Sequence, residues 1–123
     1  MAFVLKQSAT YKWPVTILLP IDGGKKEKHT FDAEFRRLPQ SRTEELVTQL
    51  KMQERVDIDP DQILLMKDAA KEILVGWSGV QDDSGEEIPF SETALEQVLE
   101  IQMVAAQIIL GWFNSLEVAK RKN

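Results

Sequence analysis

The 123-residue chain contains no cysteine and only one histidine, His29. Without cysteine there is no disulfide and no thiolate metal site, so the fold must be held by packing and hydrogen bonding. A single imidazole leaves little room for nucleophilic catalysis. A Ser–His–carboxylate triad would have to be built on His29 with a serine such as Ser41 or Ser84, and no serine sits in a nucleophile-elbow pattern. His29 shares a strand face with Phe31 and reads as a structural histidine. No segment is long and uncharged enough to span a bilayer, and Met1 to Lys12 lacks the basic flank and long apolar run of an export signal, so a cytoplasmic chain without a membrane partner is expected. Internal repeats and low-complexity segments are absent too. Gly23-Gly24-Lys25 has nothing else of a phosphate loop around it.

What is present is a soluble, single-domain composition, 43% hydrophobic and 28% charged, with a net charge of -5. The charge is uneven: residues 57–100 carry twelve carboxylates against Lys67 and Lys71 alone. Such a middle repels phosphate backbones, which argues against nucleic acid and favours a basic or apolar protein partner, or simply a solvated acidic face. Asp57, Asp59 and Asp61 open like a calcium loop, with Asp68 at the twelfth position. Gln62, however, stands where the loop's sharp turn needs glycine, and Asp59-Pro60-Asp61 is better explained as a helix start with an N-cap, a first-position proline and an acidic first turn. No metal, cofactor or catalytic residue is expected.

Hydrophobic periodicity predicts an α+β fold: a mostly helical single domain with an N-terminal antiparallel β-hairpin and three or four helices. Val15, Ile17 and Leu19, then Phe31, Ala33 and Phe35, are apolar at odd positions and flank Asp22-Gly23-Gly24. Paired residues must then sum to an even number, which a three-residue loop with a left-handed glycine supplies. This hairpin, residues 13–37, would follow a flexible segment, 1–12, and should pack on helices, pair with another strand, or both. Ser41 with Glu44 reads as a capping box for a helix over about 41–56. Ile63, Met66, Ala70, Ile73 and Trp77 give a second helix over about 60–75. A third runs over about 91–116, and 119–123 form a basic tail. The domain spans 13–118.

Between the last two helices lies the most individual stretch, Val75 to Glu92. Trp77, Ile88 and Phe90 surround a polar turn, Asp82 to Gly85, in which Gly85 supplies left-handed backbone; Pro89 biases Ile88 toward extended geometry, and Ser91 reads as an N-cap. Trp77, Gly85, Pro89 and Phe90 are therefore assigned a structural role. The last helix carries two apolar stripes. Ile101, Ala105, Ile108 and Trp112 form the bulkier one, expected in the core. Met103, Ala106, Leu110 and Phe113 form the pliable one, expected to be free for a partner helix or another copy of the chain.

Three further runs carry a resemblance: Gly76-Trp77-Ser78-Gly79-Val80; Asp82-Asp83-Ser84-Gly85; and Ile88-Pro89-Phe90-Ser91 before a helix. Together with Asp22-Gly23-Gly24, Phe31, Phe35 and Arg36-Arg37-Leu38-Pro39 upstream, they resemble the small tail assembly chaperones of long-tailed bacteriophages and prophages, over about residues 15–116. Ile101-Gln102-Met103 departs from the pattern, standing where relatives often carry proline. The resemblance implies a non-enzymatic helper in the host cytoplasm that binds the tape measure protein, keeps it soluble while the tail tube is built, and is absent from the mature virion. It also implies that a frameshifted longer product can contact the tail tube protein. The alternatives are a structural virion subunit retained in the particle, and a small hydrolase with a polar pocket around His29.

Overall fold

A computed structural model describes residues 2–50 and 60–117. Its strands are β1 (Thr10–Ile21), β2 (Lys25–Arg36) and β3 (Leu74–Ser78), and its helices α1 (Gln40–Leu50), α2 (Pro60–Ile73), α3 (Glu92–Leu99) and α4 (Val104–Leu116). The strands form one antiparallel sheet in the order β1-β2-β3. The fold is α+β, as the periodicity predicts.

The hairpin register follows from the parity of its apolar residues. Val15 pairs with Phe31 and Ile21 with Lys25 across the three-residue turn Asp22–Gly24. Both glycines of that turn have positive φ, 84° at Gly23 and 75° at Gly24, a conformation that a Cβ would disfavour. Val15, Ile17, Ala33 and Phe35 are buried on one face, while Lys26, Lys28 and Arg36 lie exposed on the other. The strands are longer than residues 13–37 suggest, because Thr10 to Lys12 pair with Glu34 to Arg36.

The outer edge of β1 is closed against further pairing by its own sequence. Leu18 N–H donates to Gln107 Oε1 (2.7 Å) and Leu18 C=O accepts from Gln107 Nε2 (3.0 Å), so a side-chain amide of α4 occupies the place of a neighbouring strand. Residues two apart in a strand present their backbone to the same side. Pro14 and Pro20 therefore lack an N–H at outward positions, leaving a twelve-residue edge with few donors to offer.

Three expectations need correction. Trp77 does not extend the second helix; α2 ends at Ile73, and Leu74–Ser78 turns into a strand paired with β2, with a bulge opposite Glu34 and Phe35. Ser41 does not cap α1. The helix already includes Gln40, and Thr43 N–H donates to Pro39 C=O. The helix placed at 91–116 is two helices: the chain breaks after Leu99, Met103 takes a left-handed conformation at φ 66°, and α3 and α4 are bent by 104°. No single helix among the described residues is long and apolar enough to cross a membrane. The last part of the 41–56 helix, the candidate ligands Asp57 and Asp59, and the tail at 119–123 lie outside the described residues.

The core gathers where α4 lies along β1 and against α2. Gly111 makes the first contact possible: a Cβ there would stand 3.1 Å from Val15 Cγ2. Tyr11 Oη and Ser115 Oγ, 2.7 Å apart, fix the far end of the same contact. Trp112, Ile108, Ile109, Phe35, Leu50 and Ile73 are among the fully buried side chains.

Helices α1 and α2 are clasped by charge. Arg42 Nε and Nη2 donate to the two carboxylate oxygens of Glu72 (2.9 and 2.7 Å), a two-pronged pairing, and Arg42 Nη1 reaches Glu45 at 2.9 Å. The hydrogen bonds from Arg42 hold the Glu72 carboxyl below the usual range, against the opposing pull of partial burial. A depressed carboxylate contributes stability above its unfolded pKa, and that contribution is lost as pH falls through the folded value. We expect the melting temperature to drop as the pH is lowered through and below the ordinary range of a glutamate carboxyl, and Glu72→Gln to flatten part of that drop, modestly because the pair is partly exposed. Thermal melts of both proteins across this range check it; parallel curves would remove Glu72 from the account.

Candidate partner-binding surface

The stretch from Val75 to Glu92 carries the chain from β3 to the start of α3. After β3 the chain doubles back: Ile88 N–H donates to Val80 C=O (2.7 Å), and Gln81 bridges Glu87. At the tip, Asp82 Oδ1 accepts from Ser84 N–H, Ser84 Oγ and Glu86 N–H at 2.8–3.0 Å. These bonds, the Ser84 hydroxyl foremost, hold the Asp82 carboxyl below its ordinary range. Gly85 has φ 87°.

Trp77 is half-buried. Its Nε1–H donates to Ile88 C=O (2.8 Å), and its ring meets Phe90 edge-on at 4.9 Å and Phe31 at 6.4 Å. The strand and the returning loop are thus pinned together by one amphipathic side chain. Pro89 follows Ile88 on the exposed side, and Ser91 Oγ accepts from Ala94 N–H (3.0 Å) to start α3.

The two stripes expected on the last helix fare differently. Ala105, Ile108 and Trp112 are buried, but Ile101 falls in the break between α3 and α4 and is 47% exposed. Of the stripe expected to be free, Ala106 is only 4% exposed and cannot meet a partner in this arrangement. The reason is that α4 is central, packed on β1 by one side and on α2 by another, so the second stripe is covered for its first turn. Met103 and Phe113 are half-buried, and Leu110 is 38% exposed.

What remains uncovered is nonetheless continuous in type. At one end Met103 lies with Ile63 and Met66 of α2 along an apolar groove of about 240 Å³, whose rim carries the Lys67–Glu100 ion pair. That lysine also holds the Glu100 carboxyl low. At the other end Phe113 and Leu116 of α4 face Leu38, Thr43 and Val47 across a groove of about 440 Å³ between α1 and α4. Leu110 lies between them on the same helix. Val47 and Leu116 are 47% and 41% exposed and line the same groove, so they form a contiguous apolar patch and not scattered single side chains.

The sequence did not mark Leu38, Val47 or Leu116 as part of this surface. Leu46, Val47 and Leu50 form one thin apolar set in α1, and only the packing shows that Leu46 and Leu50 turn inward while Val47 turns toward α4.

His29 Nε2 lies 2.9 Å from Glu27 Oε1, with both side chains largely exposed. The groove it borders is lined by Ile17, Leu19, Phe31 and Val80 among others, and by no serine. Among the described residues no group of three or more His, Asp or Glu side chains converges to hold a metal.

Residues 31–111, more than half of the chain, match the model of a family described as YdaY prophage protein. No curated protein and no solved structure matches the chain.

Proposed function

The chain belongs to the YdaY prophage protein family, and from that premise we propose that it is a tail assembly chaperone: a non-enzymatic binding protein that holds apolar helical segments of the tape measure protein in solution while the tail is assembled in the host cytoplasm. The observation that carries this reading is the apolar line along α4, where Leu110 and Leu116 are exposed and Phe113 half-buried, with Val47 of α1 exposed across the groove from Phe113 and Leu116. A helix-lined apolar groove accepts an amphipathic helix through contacts spaced three and four residues apart. Met103, pliable and half-buried at the start of α4, suits a client of loosely specified sequence. The resemblance of the Gly76 to Ser91 stretch to tail assembly chaperones supports the same reading.

Co-expression with a tape measure protein from the same prophage tests it. Leu110→Asp is expected to leave the domain folded and to abolish most solubilisation of the client. If the variant solubilises the client as well as the parent does, α4 is not the binding surface. If the chain instead co-purifies with intact particles in stoichiometric amount, it is a virion subunit and the chaperone reading fails.

A further inference from the structure

The far half of the hairpin offers an edge on β2 that β1 does not offer. Leu18 turns both backbone groups outward to Gln107, so its cross-strand partner Lys28 turns its own away from β1, toward the side on which β3 lies. The other even-numbered residues of β2 face the same way. Glu34 and Asp32 meet Gly76 and Ser78 there, but at Gly79, φ 90°, the chain leaves the line of β3. Beside Lys26, Lys28 and Thr30 there is then no strand among the described residues, and their backbone N–H and C=O groups form an open edge.

On the core-facing side of the sheet, bordered by Lys28 and Thr30 themselves, lies a groove of about 690 Å³ lined by Ile17, Leu19, Phe31, Val98 and Val104. A strand added at this edge would hydrogen-bond through one residue and place the side chains on either side of it in the groove. Its occupant must be extended and apolar. The chain itself carries such a segment ahead of β1, where Phe3, Val4 and Leu5 are 85%, 61% and 89% exposed. The bond that Gln7 Nε2 donates to Val4 C=O joins exposed groups and exchanges for a ladder bond.

This arm does not reach its own groove. Ala9 C=O is held by Arg37 N–H, and from Arg37 back to Lys28 is nine residues, about 30 Å of strand, whereas Val4 stands five residues from Ala9, at most about 18 Å. A second copy is free of that limit. We propose that the arm formed by residues 2–6 of one copy adds as a strand to the β2 edge of another, with Val4 beside Lys28 and with Phe3 and Leu5 in the groove. Each chain carries both donor and acceptor, so association links copies reciprocally or in series. The proposal does not rest on the client-binding reading, because neither the arm nor the β2 edge belongs to the surface assigned to the client.

Sedimentation velocity and amide hydrogen exchange of the full chain, without client, test it. The parent's sedimentation coefficient is expected to rise with concentration, and the amides of Lys26, Lys28 and Thr30 to exchange about tenfold or more slowly in the associated form. Phe3→Asp/Leu5→Asp should stay monomeric, exchange fast at those three amides, and melt like the parent, because the arm lies outside the core. Val4→Thr should associate as the parent does, since its side chain points away from the groove. A peptide of residues 2–7 added to the Phe3→Asp/Leu5→Asp chain should restore slow exchange at the three amides. A parent that is monomeric at all concentrations, a Phe3→Asp/Leu5→Asp variant that associates like the parent, or a peptide that restores no protection would each overturn the proposal. Protection of the three amides by a tape measure fragment and not by the arm peptide would overturn it as well, and would assign the edge to the client.

Discussion

Trp112→Ala is expected to remove about 3–5 kcal/mol of stability and to lower the melting temperature by on the order of 10–20 °C. Trp112 is 1% exposed, at the point where α4 is pressed onto the sheet, and its ring lies 5.3 Å from that of Phe113. Removing the indole leaves a cavity that cannot collapse readily, because the Gly111–Val15 approach beside it is already at close contact. For a domain with a total stability of about 5–15 kcal/mol the loss is a large fraction. Trp112→Phe, which keeps most of the ring, should lose much less. A Trp112→Ala protein that melts within a few degrees of the parent would mean that α4 is not the central helix.

The second large effect contrasts two aspartates on one helix. Ile108 is 0% exposed and Leu110 38% exposed. Ile108→Asp puts a carboxylate among apolar side chains with no cation in reach, and a buried unpaired charge costs more than a domain of this size can spare. Ile108→Asp is expected to unfold, read as loss of the cooperative melt by circular dichroism. Leu110→Asp is expected to retain that melt within a few degrees, since its carboxylate reaches water. The reverse outcome, with Ile108→Asp folded and Leu110→Asp unfolded, would exchange the buried and free sides of α4.

Much of this was legible in the chain. The odd-numbered apolar residues of the hairpin and the glycines after Asp22 determine its register, because a strand shifted by one residue would turn Val15 and Phe35 to water. Strand β3 was hidden because Ile73 and Trp77 continue the three-and-four spacing of α2. Five residues ending in Trp-Ser carry too little alternation to compete with a helical pattern. The break before α4 was not legible in the periodicity, although the resemblance marks Ile101-Gln102-Met103 as the place where relatives often carry proline. Gln102-Met103 contains no glycine or proline, and Met103 adopts φ 66° only because α3 and α4 both pack on the same core. Burial of Ala106 follows from the position of α2, which periodicity within α4 alone does not contain. The candidate surface was therefore half visible, with Leu110 and Phe113 marked by spacing and Val47 and Leu116 recognised only through the groove between α1 and α4.

The most direct measurement is a backbone and methyl chemical-shift map of the full chain titrated with a helical fragment of the tape measure protein. The account predicts that perturbations concentrate on Val47, Leu110, Phe113 and Leu116, with Met103 at the edge and the charged face of the sheet at Lys26, Lys28 and Arg36 unchanged. Perturbations confined to the sheet face, or no saturable change along α4, would contradict it.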